Sequence, residues 1–435
     1  MYLNLFAVLL RLCEPFLHKH TTYLRQIDAF FTIRPPRSEE ANDPELAIDL
    51  REDVRINASA QEATEYLAEL DIYSAEECKL NDQTVVNRLF WYTSLIFHQS
   101  VLPAIKIVES QARSLAQLRT RLKDLQRSLL ILEGAARQQR TRELDTMTKQ
   151  ESVLTGRYIA VMTDLVSEPI SNAVHLLAFT ASYLLDLADT KPKAFFVQPE
   201  VLVTNFAEFL VFMLARTSLL REVASLEHII TFLVRFVGDA KFVRNPYLRS
   251  QLLSILYIAC QDRQSPVRRG QSENLLYMIH DHPYAKQQLI PSLFQLFADI
   301  ETTGRHAQFH EKFRTRVEIA GILEKLKLDP VYQVAIVEAA AAPIFVKVAN
   351  FLVNDTNFAF DSCIKAIMDI QDIETEMDDH QAWQQRSEAD RSAVVERLNQ
   401  NESTARAYAH QTERFMEMVI TLTHLCRDRF VSAEL

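Results

Sequence analysis

Apolar residues recur every three or four positions along most of this chain, which is the pattern of helices that bury one face. The first such stretch runs from Tyr2 to His20, and a short second one runs from Tyr23 to Ile33. A helix that starts at the first residue with a full apolar face needs a neighbour to cover it. We therefore expect either that the natural protein has more sequence upstream or that this chain is a fragment.

The same periodicity predicts helices along the rest of the chain, joined by short polar links. They are expected at residues 59–70, 81–98, 104–150, 247–259, 268–280, 290–300, 309–328, 331–350, 357–370, 380–401 and 403–426, and buried helical pairs are expected at 161–187 and 201–236. The polar segment 380–401 is interpreted as a long exposed helix or a mobile stretch. Helix pairs of about 40 residues predict an all-α fold, an elongated array of irregular armadillo/HEAT-like helix pairs.

One stretch predicts a helix of unusual length. From Ala104 to about Gln150 the chain has no proline and a single glycine, Gly134. Leucines from Leu115 to Leu132 form a heptad-like seam with steps of 3, 4, 3, 4 and 3 residues. Such a seam fits a coiled-coil dimer or a long helix hairpin within one chain. The hairpin is favoured because the seam ends at Leu132.

Two local features divide the chain. Residues 34–50 combine three prolines with five acidic side chains, which is typical of a solvated linker. Asn245-Pro246 breaks the helical pattern, because a residue before proline is disfavoured in a helix and proline is favoured at a helix start. We expect Asn245 to cap the next helix. The predicted parts are N-terminal helices (1–33), the acidic linker (34–50) and two core parts (51–240 and 241–435).

Composition excludes several classes of protein. The 435 residues include only 6 glycines, and none of them cluster into a phosphate-binding loop. The net charge of −10 gives no general attraction to nucleic acid or to an anionic membrane. Five scattered cysteines fit a reducing compartment without a disulfide framework. We find no segment that is long and apolar enough to span a membrane.

The histidines do not form a recognisable metal site. His310 begins a sequence like a zinc-protease helix, but Arg314 stands where the second histidine is required. His306 and His310 share one helix face and lack a third ligand. His280 and His282 flank the end of a predicted helix, where capping or contact with solvent explains them.

One cysteine was considered as a nucleophile. Cys13 lies near His18 and His20 in sequence, but no third group that would orient a histidine can be named. Its position in an apolar helix indicates an inert core thiol. From the residues alone the chain is a helical scaffold, and we expect no catalytic, cofactor-binding or metal-binding residues.

Seven short motifs follow one another along the chain. They are the stretches 4–16, 54–58, 90–104, Pro199-Glu200 with Phe209-Leu210, 245–249, 309–316 with Ile319 and Leu323, and 345–364. In this order they resemble the core region of the ubiquitin conjugation factors, the chain-elongation ("E-four") class of ubiquitin ligase. The residues that the resemblance marks, all in structural roles, are Glu14, Pro15, Phe16, His98, Pro103, Asn245, Pro246, Tyr247, Leu248, Lys312, Phe313, Arg316, Asn350, Asn354 and Asp355.

The resemblance implies a function. Members of this family add ubiquitin to ubiquitin without a covalent intermediate, by holding a ubiquitinated client close to a ubiquitin-conjugating enzyme. The conjugating enzyme docks on a C-terminal U-box, and no stretch of this sequence up to Leu435 resembles that module. We therefore expect this chain alone to be inactive. A non-catalytic armadillo/HEAT-type adaptor is the alternative.

The resemblance also implies partners and a cellular place. The expected partners are a ubiquitin-conjugating enzyme, a ubiquitinated client, an AAA unfoldase and shuttle proteins of the proteasome. The expected pathway is polyubiquitination that leads to proteasomal or ER-associated degradation, in the cytoplasm and nucleus. No docking surface for these partners can be placed from the sequence.

Overall fold

A computed structural model describes residues 2–17, 20–32, 54–71, 84–130, 134–167, 170, 172–216, 226–261, 276–302 and 309–430. The chain forms two compact units, Met1–Phe232 and Leu233–Leu435. The described residues contain α-helices, short 3-10 turns and one isolated β-bridge, so the all-α prediction is confirmed. The linker at 34–50 lies outside the described residues, and the subdivision of the chain made from sequence stays a prediction.

The first unit is built from helices around an aromatic core. Its helices are α1 (Tyr2–Leu17), α2 (His20–Tyr23), α3 (Ala60–Asp71), α4 (Val85–Leu129), α5 (Gly134–Leu165), α6 (Ala173–Thr190), α7 (Pro192–Phe196) and α8 (Val201–Arg216), with a 3-10 turn at Leu24–Gln26. The boundary between the units falls within α9 (Leu226–Gly238).

The second unit continues as a series of packed helices. They are α10 (Pro246–Cys260), α11 (Pro283–Asp299), α12 (Phe309–Leu326), α13 (Pro330–Ala339), α14 (Ile344–Asp378), α15 (His380–Gln385), α16 (Glu388–Leu425) and α17 (Arg427–Phe430). A helical stretch at 276–281 precedes α11, and a 3-10 turn at Ile300–Thr302 follows it. Helices α14 and α16 pack against each other, as do α10 and α12.

The stretch predicted as one long helix at 104–150 belongs to a helix hairpin, the arrangement that the leucine seam favoured. The predicted bounds of this stretch were wrong. Helix α4 ends at Leu129, and α5 begins at Gly134 and packs against it. Gly134 has a φ of 65°, a left-handed conformation that glycine adopts without steric cost. The single glycine in the stretch therefore marks the turn.

Helix α4 joins the helix predicted at 81–98 to the one predicted from Ala104, and it runs through Pro103. A helix end is expected near residue 99, because an internal proline costs a helix about 3 kcal/mol. Here the helix is buried on both sides of the proline, with Val101 and Ile105 both at or below 2% exposure. Packing of the flanking turns outweighs the lost hydrogen bond.

Other predicted boundaries differ in the same way. The predicted ends near residues 350 and 401 do not exist, because α14 and α16 run through them. The real break precedes α14, where Pro343 stands at the N-cap. The predicted helix from Tyr23 to Ile33 is mostly a series of turns, in which the Asp28 carboxylate accepts a hydrogen bond from the Phe30 N–H and competes with helix formation.

The predicted helix caps are confirmed. Asn245 Oδ1 accepts from the Tyr247 N–H at 3.0 Å, and Pro246 occupies the first turn of α10. Ser59 and Glu62 form a reciprocal capping box at the start of α3. Among the described helices, none is by itself long and apolar enough to cross a membrane; α13 and α14 pass that test only as a pair bent by 102°.

Candidate functional site

The thiol considered as a nucleophile lies in the interior of the first unit. Cys13 has no exposed area, and its Sγ lies 3.2 Å from Thr93 Oγ1. Burial raises the pKa of the Cys13 thiol to about 11, against the opposing effect of the Thr93 hydrogen bond. A thiol that is protonated at neutral pH is a poor nucleophile. His18 and the side chain of His20 lie outside the described residues.

The histidines of the second unit have structural contacts. His282 Nδ1 accepts from the Ala285 N–H at 3.4 Å and caps α11, as the sequence indicated. His280 Nδ1 lies 3.0 Å from Asp329 Oδ2. His306 and the side chain of His310 lie outside the described residues. In the part of the chain that the structure describes, no three histidine, cysteine or acidic side chains form a group that could hold a metal ion.

Two of the sequence motifs meet in the first unit as a short antiparallel pairing. The Ile56 N–H donates to Gln198 O at 3.0 Å, and the Glu200 N–H donates to Val54 O at 2.8 Å. Arg55 and Pro199 form the isolated β-bridge. The stretch after the linker is thereby fixed to the turn that joins α7 to α8.

Arg55 reinforces this pairing from inside the unit. It is 5% exposed, and its guanidinium donates to the Thr32 hydroxyl at 3.1 Å and to the Thr32 carbonyl at 3.2 Å. A third contact reaches Val197 O at 3.5 Å. A buried guanidinium needs several acceptors, and these groups supply them. One arginine thus joins three segments that are far apart in sequence.

A second contact between motifs joins α4 to α8. His98 Nδ1 lies 2.9 Å from Asn205 Oδ1, and Asn205 Nδ2 donates to Ser94 O at 3.0 Å. The Phe97 ring, one residue before His98, packs edge-on at 5.3 Å against the ring of Phe209, one turn after Asn205. The helix that carries His98 and Pro103 is therefore held to α8 by polar contacts and by ring packing.

Among the marked residues of the α1 motif, Phe16 packs against another helix. Its ring lies 5.6 Å from the Phe179 ring of α6, and the side chain is 3% exposed. Pro15 lies within α1 and faces solvent, and Glu14 is half-buried. Of these three residues, Phe16 packs α1 against α6, while Pro15 lies on the exposed face of α1.

The second unit contains a cluster of charged residues around two buried arginines at the C-terminal end of α11. We call it the ionic cluster, and its members are Arg249, Asp299, Glu301, Lys312, Arg316 and Asp355. They come from α10, the end of α11 with the turn after it, α12 and α14. Three of the sequence motifs, at 245–249, 309–316 and 345–364, therefore meet at one helix end.

Arg316 is the centre of the ionic cluster. It has no exposed area, and it pairs with Asp355 Oδ2 at 2.6 Å and Glu301 Oε2 at 2.8 Å. Its Nε and one Nη also donate to the Phe297 carbonyl at 3.2 and 3.1 Å. Phe297 O is one of the last carbonyls of α11, which have no partner within the helix. A cation at this end is also favoured by the helix dipole.

Arg249 holds the same helix end from α10. It is 1% exposed, and its guanidinium pairs with Asp299 Oδ2 at 2.9 Å. The Gln295 side chain donates to the other oxygen of Asp299 at 2.7 Å. Arg249 lies one turn after the Asn245 cap, so the cap sets the start of the helix that carries this arginine.

The two acids beside Arg316 respond differently to their surroundings. Burial is the largest influence on Asp355 and raises its pKa, although Arg316 and Lys312 oppose the shift. Burial also acts on Glu301, but the Lys312 hydrogen bond and the charge of Arg316 outweigh it and hold the pKa of Glu301 below its ordinary value. Glu301 is therefore the acid whose charge is more strongly stabilised.

The other marked residues divide between the core and the surface. Leu248 and Phe313 are buried, and the Phe313 ring lies 5.3 Å from the Phe358 ring. Asn350 and Asn354 are exposed, one helical turn apart on α14, while Asp355 of the same motif faces inward. The motif 345–364 thus contributes one residue to the ionic cluster and two to the surface.

Several residues of these contacts were missed from the sequence. Asp299 and Glu301 accept from the buried arginines, and Asn205 and Gln198 accept and donate in the first unit. The sequence feature that could have identified the two acids is their position at the end of an apolar helix. An acid at a helix C-terminus is unfavourable to the helix dipole, which suggests a nearby cation.

The chain was compared with protein families and with characterised proteins. A family described as the ubiquitin elongating factor core matches residues 1–435. The probable ubiquitin conjugation factor E4 of Arabidopsis thaliana is 27% identical over 442 residues, which cover 93% of this chain and 41% of that protein. The ubiquitin conjugation factor E4 of Schizosaccharomyces pombe is 25% identical over 396 residues, with 86% and 37% covered.

A third relative, the E4 ubiquitin-protein ligase UFD2 of Saccharomyces cerevisiae, is 24% identical over 141 residues, which cover 32% of this chain and 14% of that protein. The chain spans about two fifths of the length of the first two relatives. The family match extends over every residue of the sequence. This chain therefore belongs to the ubiquitin elongating factor core family.

Proposed function

We propose that this chain is the scaffold core of a ubiquitin chain-elongation factor, a ubiquitin-ubiquitin ligase. The observation that carries the proposal is the family match over residues 1–435. The names of the relatives, ubiquitin conjugation factor E4 and E4 ubiquitin-protein ligase, agree with it. The core positions a ubiquitinated client and a conjugating enzyme so that ubiquitin is transferred onto ubiquitin.

The role of the core in this proposal is to fix distances and angles. Catalysis by proximity and orientation needs rigid supports and no nucleophile in the scaffold itself. The inward-facing motif residues support this role, since Arg55, Phe16 and the members of the ionic cluster join helix to helix within their units. A change at these positions is expected to alter geometry and stability before it alters chemistry.

The partners, the pathway and the localisation are part of the same proposal. A U-box binds the conjugating enzyme, and an AAA unfoldase and proteasome shuttle proteins are the further partners, in proteasomal and ER-associated degradation. We place the protein in the cytoplasm and nucleus, and imaging of a fluorescent fusion tests this. Cys13, Cys260, Cys363 and Cys426 are free thiols, which agrees with a reducing compartment.

The test is ubiquitin chain extension with purified components. Activating enzyme, conjugating enzyme and a mono-ubiquitinated client are combined with residues 1–435, with a family U-box alone, or with the chain joined at Leu435 to that U-box. We expect no extension by the chain alone, slow extension by the U-box alone, and faster extension by the fusion.

Two outcomes would contradict the proposal. A fusion that binds the conjugating enzyme normally but extends chains no faster than the U-box alone shows that the core does not perform this role. In that case the armadillo/HEAT-type adaptor becomes the better description. Extension by residues 1–435 without the U-box would show that the core contains transfer chemistry of its own.

A further inference from the structure

The helix hairpin of the first unit carries a charge opposite to that of the whole chain. Residues 113–157 contain ten Arg and Lys side chains against five Asp and Glu, a net charge of +5. The whole chain has a net charge of −10, so the rest of it carries −15. After Leu115 the described residues of the hairpin are all exposed or half-buried until Leu165. The basic segment is therefore open to solvent.

A groove runs between α4 and α5 along this hairpin. It has a volume of about 610 Å³. Its apolar strip is formed by Leu118, Val153 and Leu154, and Val153 is 57% exposed. Three cations border the strip: Arg121 on α4, and Lys149 and Arg157 on α5. An apolar strip between basic side chains is a surface for a ligand with the complementary pattern.

The cations of the groove differ from others on the same hairpin. Arg119 pairs with Glu151, and Arg140 pairs with Glu143, each at 2.8 Å. Within the described residues, Arg121, Lys149 and Arg157 have no such acidic partner. All three are exposed. Their charge is therefore available to a ligand.

We infer that this groove binds an acidic amphipathic helix of a protein partner. A helix can lay its apolar face on Val153 and Leu154 and present carboxylates to the cations on both sides. Lys149, Val153 and Arg157 follow one another at intervals of one helical turn. Lys149 and Arg157 are thus about 12 Å apart along α5, and acids two turns apart on the partner match them.

A nucleic acid fits this groove less well. A phosphate backbone supplies anions but no continuous apolar face to cover Val153. The negative charge of the rest of the chain also opposes a long polyanion more than a short acidic helix, since exposed charges interact over about 10 Å at 0.1 M salt. The inference is independent of ubiquitin transfer, and its test measures binding alone.

The probe is a synthetic helical peptide of about 20 residues with leucines on one face and glutamates beside it. Binding to the full chain is measured by fluorescence anisotropy. The variant with R121E, K149E and R157E is expected to lower the affinity at least about tenfold, because three attractions become repulsions. The matched control carries R113E, K123E and R142E, which make the same charge change on the same hairpin outside the groove. It is expected to lower the affinity less than about threefold.

A second variant tests the apolar strip. Val153→Ser keeps every charge and is expected to weaken the peptide, while a scrambled peptide of the same composition binds weakly to every form of the chain. Circular dichroism of each variant confirms that the hairpin remains helical.

Four outcomes would overturn the inference. They are no binding of the peptide, equal losses in the two triple variants, no effect of Val153→Ser, or tighter binding of a single-stranded oligonucleotide or a phosphatidylserine vesicle than of the peptide. The last outcome would assign the groove to a phosphate ligand.

Discussion

Each of the two units holds together motifs that are far apart in sequence, and the two units use different interactions to do so. The first unit does so with a backbone pairing, as between Ile56 and Gln198, and with packed rings such as Phe97 and Phe209. The second does so with ion pairs made by the buried Arg316.

The difference teaches how each unit should respond to substitution. Ring packing depends on volume and shape, so a side chain of similar size retains most of it. A buried ion pair depends on every partner, because removing one leaves an uncompensated charge inside the protein. The ionic cluster should therefore be the less tolerant of the two regions.

The largest effect is expected at the centre of the ionic cluster. Arg316→Ala removes the closer cation of the buried Asp355, leaving only Lys312 Nζ at 4.0 Å, and should lower the free energy of unfolding by about 3–5 kcal/mol. The measurement is urea unfolding followed by tryptophan fluorescence. The two tryptophans, Trp91 and Trp383, lie in different units, so a Trp91→Phe background follows the second unit alone.

Two controls sharpen this prediction. Lys347→Ala removes an exposed cation of α14 and should change the stability by less than about 0.5 kcal/mol. The double variant Arg316→Met with Asp355→Leu removes both charges, while the Glu301–Lys312 pair can remain. The double variant should regain most of the stability that Arg316→Ala loses, since apolar replacement of a buried ion pair often leaves the free energy of unfolding unchanged. A double variant as unstable as Arg316→Ala would show that the lost charge is not the cause.

A smaller effect is expected from a conservative change in the first unit. Phe16→Leu keeps an apolar side chain against Phe179 and should cost less than about 1.5 kcal/mol. Unfolding is followed in a Trp383→Phe background, which reports on the first unit. If Phe16→Leu lowers the free energy of unfolding as much as Arg316→Ala does, the proposed contrast between the units is wrong.

The helix caps should give effects of similar, modest size in both units. Asn245→Ala removes the acceptor for the Tyr247 N–H and should cost about 1 kcal/mol, and Ser59→Ala removes the matching cap of α3. Pro246→Ala, which loosens the bend before α10, is the companion variant. Thermal unfolding identical to wild type for both Asn245→Ala and Pro246→Ala would reduce this corner to an ordinary loop.

The smallest effect concerns pH. The pKa of Glu301 is lower in the folded protein than its ordinary value. Its contribution to stability is therefore present above the ordinary pKa of glutamate, near about 4.3, and is lost as the pH falls through the lower folded value. Glu301→Gln should flatten this part of the stability curve. An unchanged slope between about pH 5 and 3 would contradict the assigned shift.

Some elements could be predicted from local sequence alone. Asn245-Pro246 and Ser59 mark helix starts through interactions within four residues, and both caps form as expected. Pro103 predicted a helix end that does not exist. Burial of the helical turns on both sides of the proline stabilises the helix more than the proline destabilises it. Local signals are reliable where local contacts dominate.

The ionic cluster was beyond prediction for a different reason. Arg316 and Asp355 were marked by family resemblance, but their pairing depends on how α12 and α14 meet. Asp299 and Glu301 are two of 57 acidic residues, and only packing shows which of them face a buried arginine. The choice of partner is a property of the tertiary structure.

The central claim is that the marked residues position helices and take no part in transfer chemistry. The most direct measurement is the rate of ubiquitin chain extension by the U-box fusion carrying Arg316→Met with Asp355→Leu, at a temperature where fluorescence shows it folded. We expect a rate within about threefold of the unchanged fusion. A folded variant that is slower by about 100-fold or more, the size of a lost general acid or base, would contradict the claim.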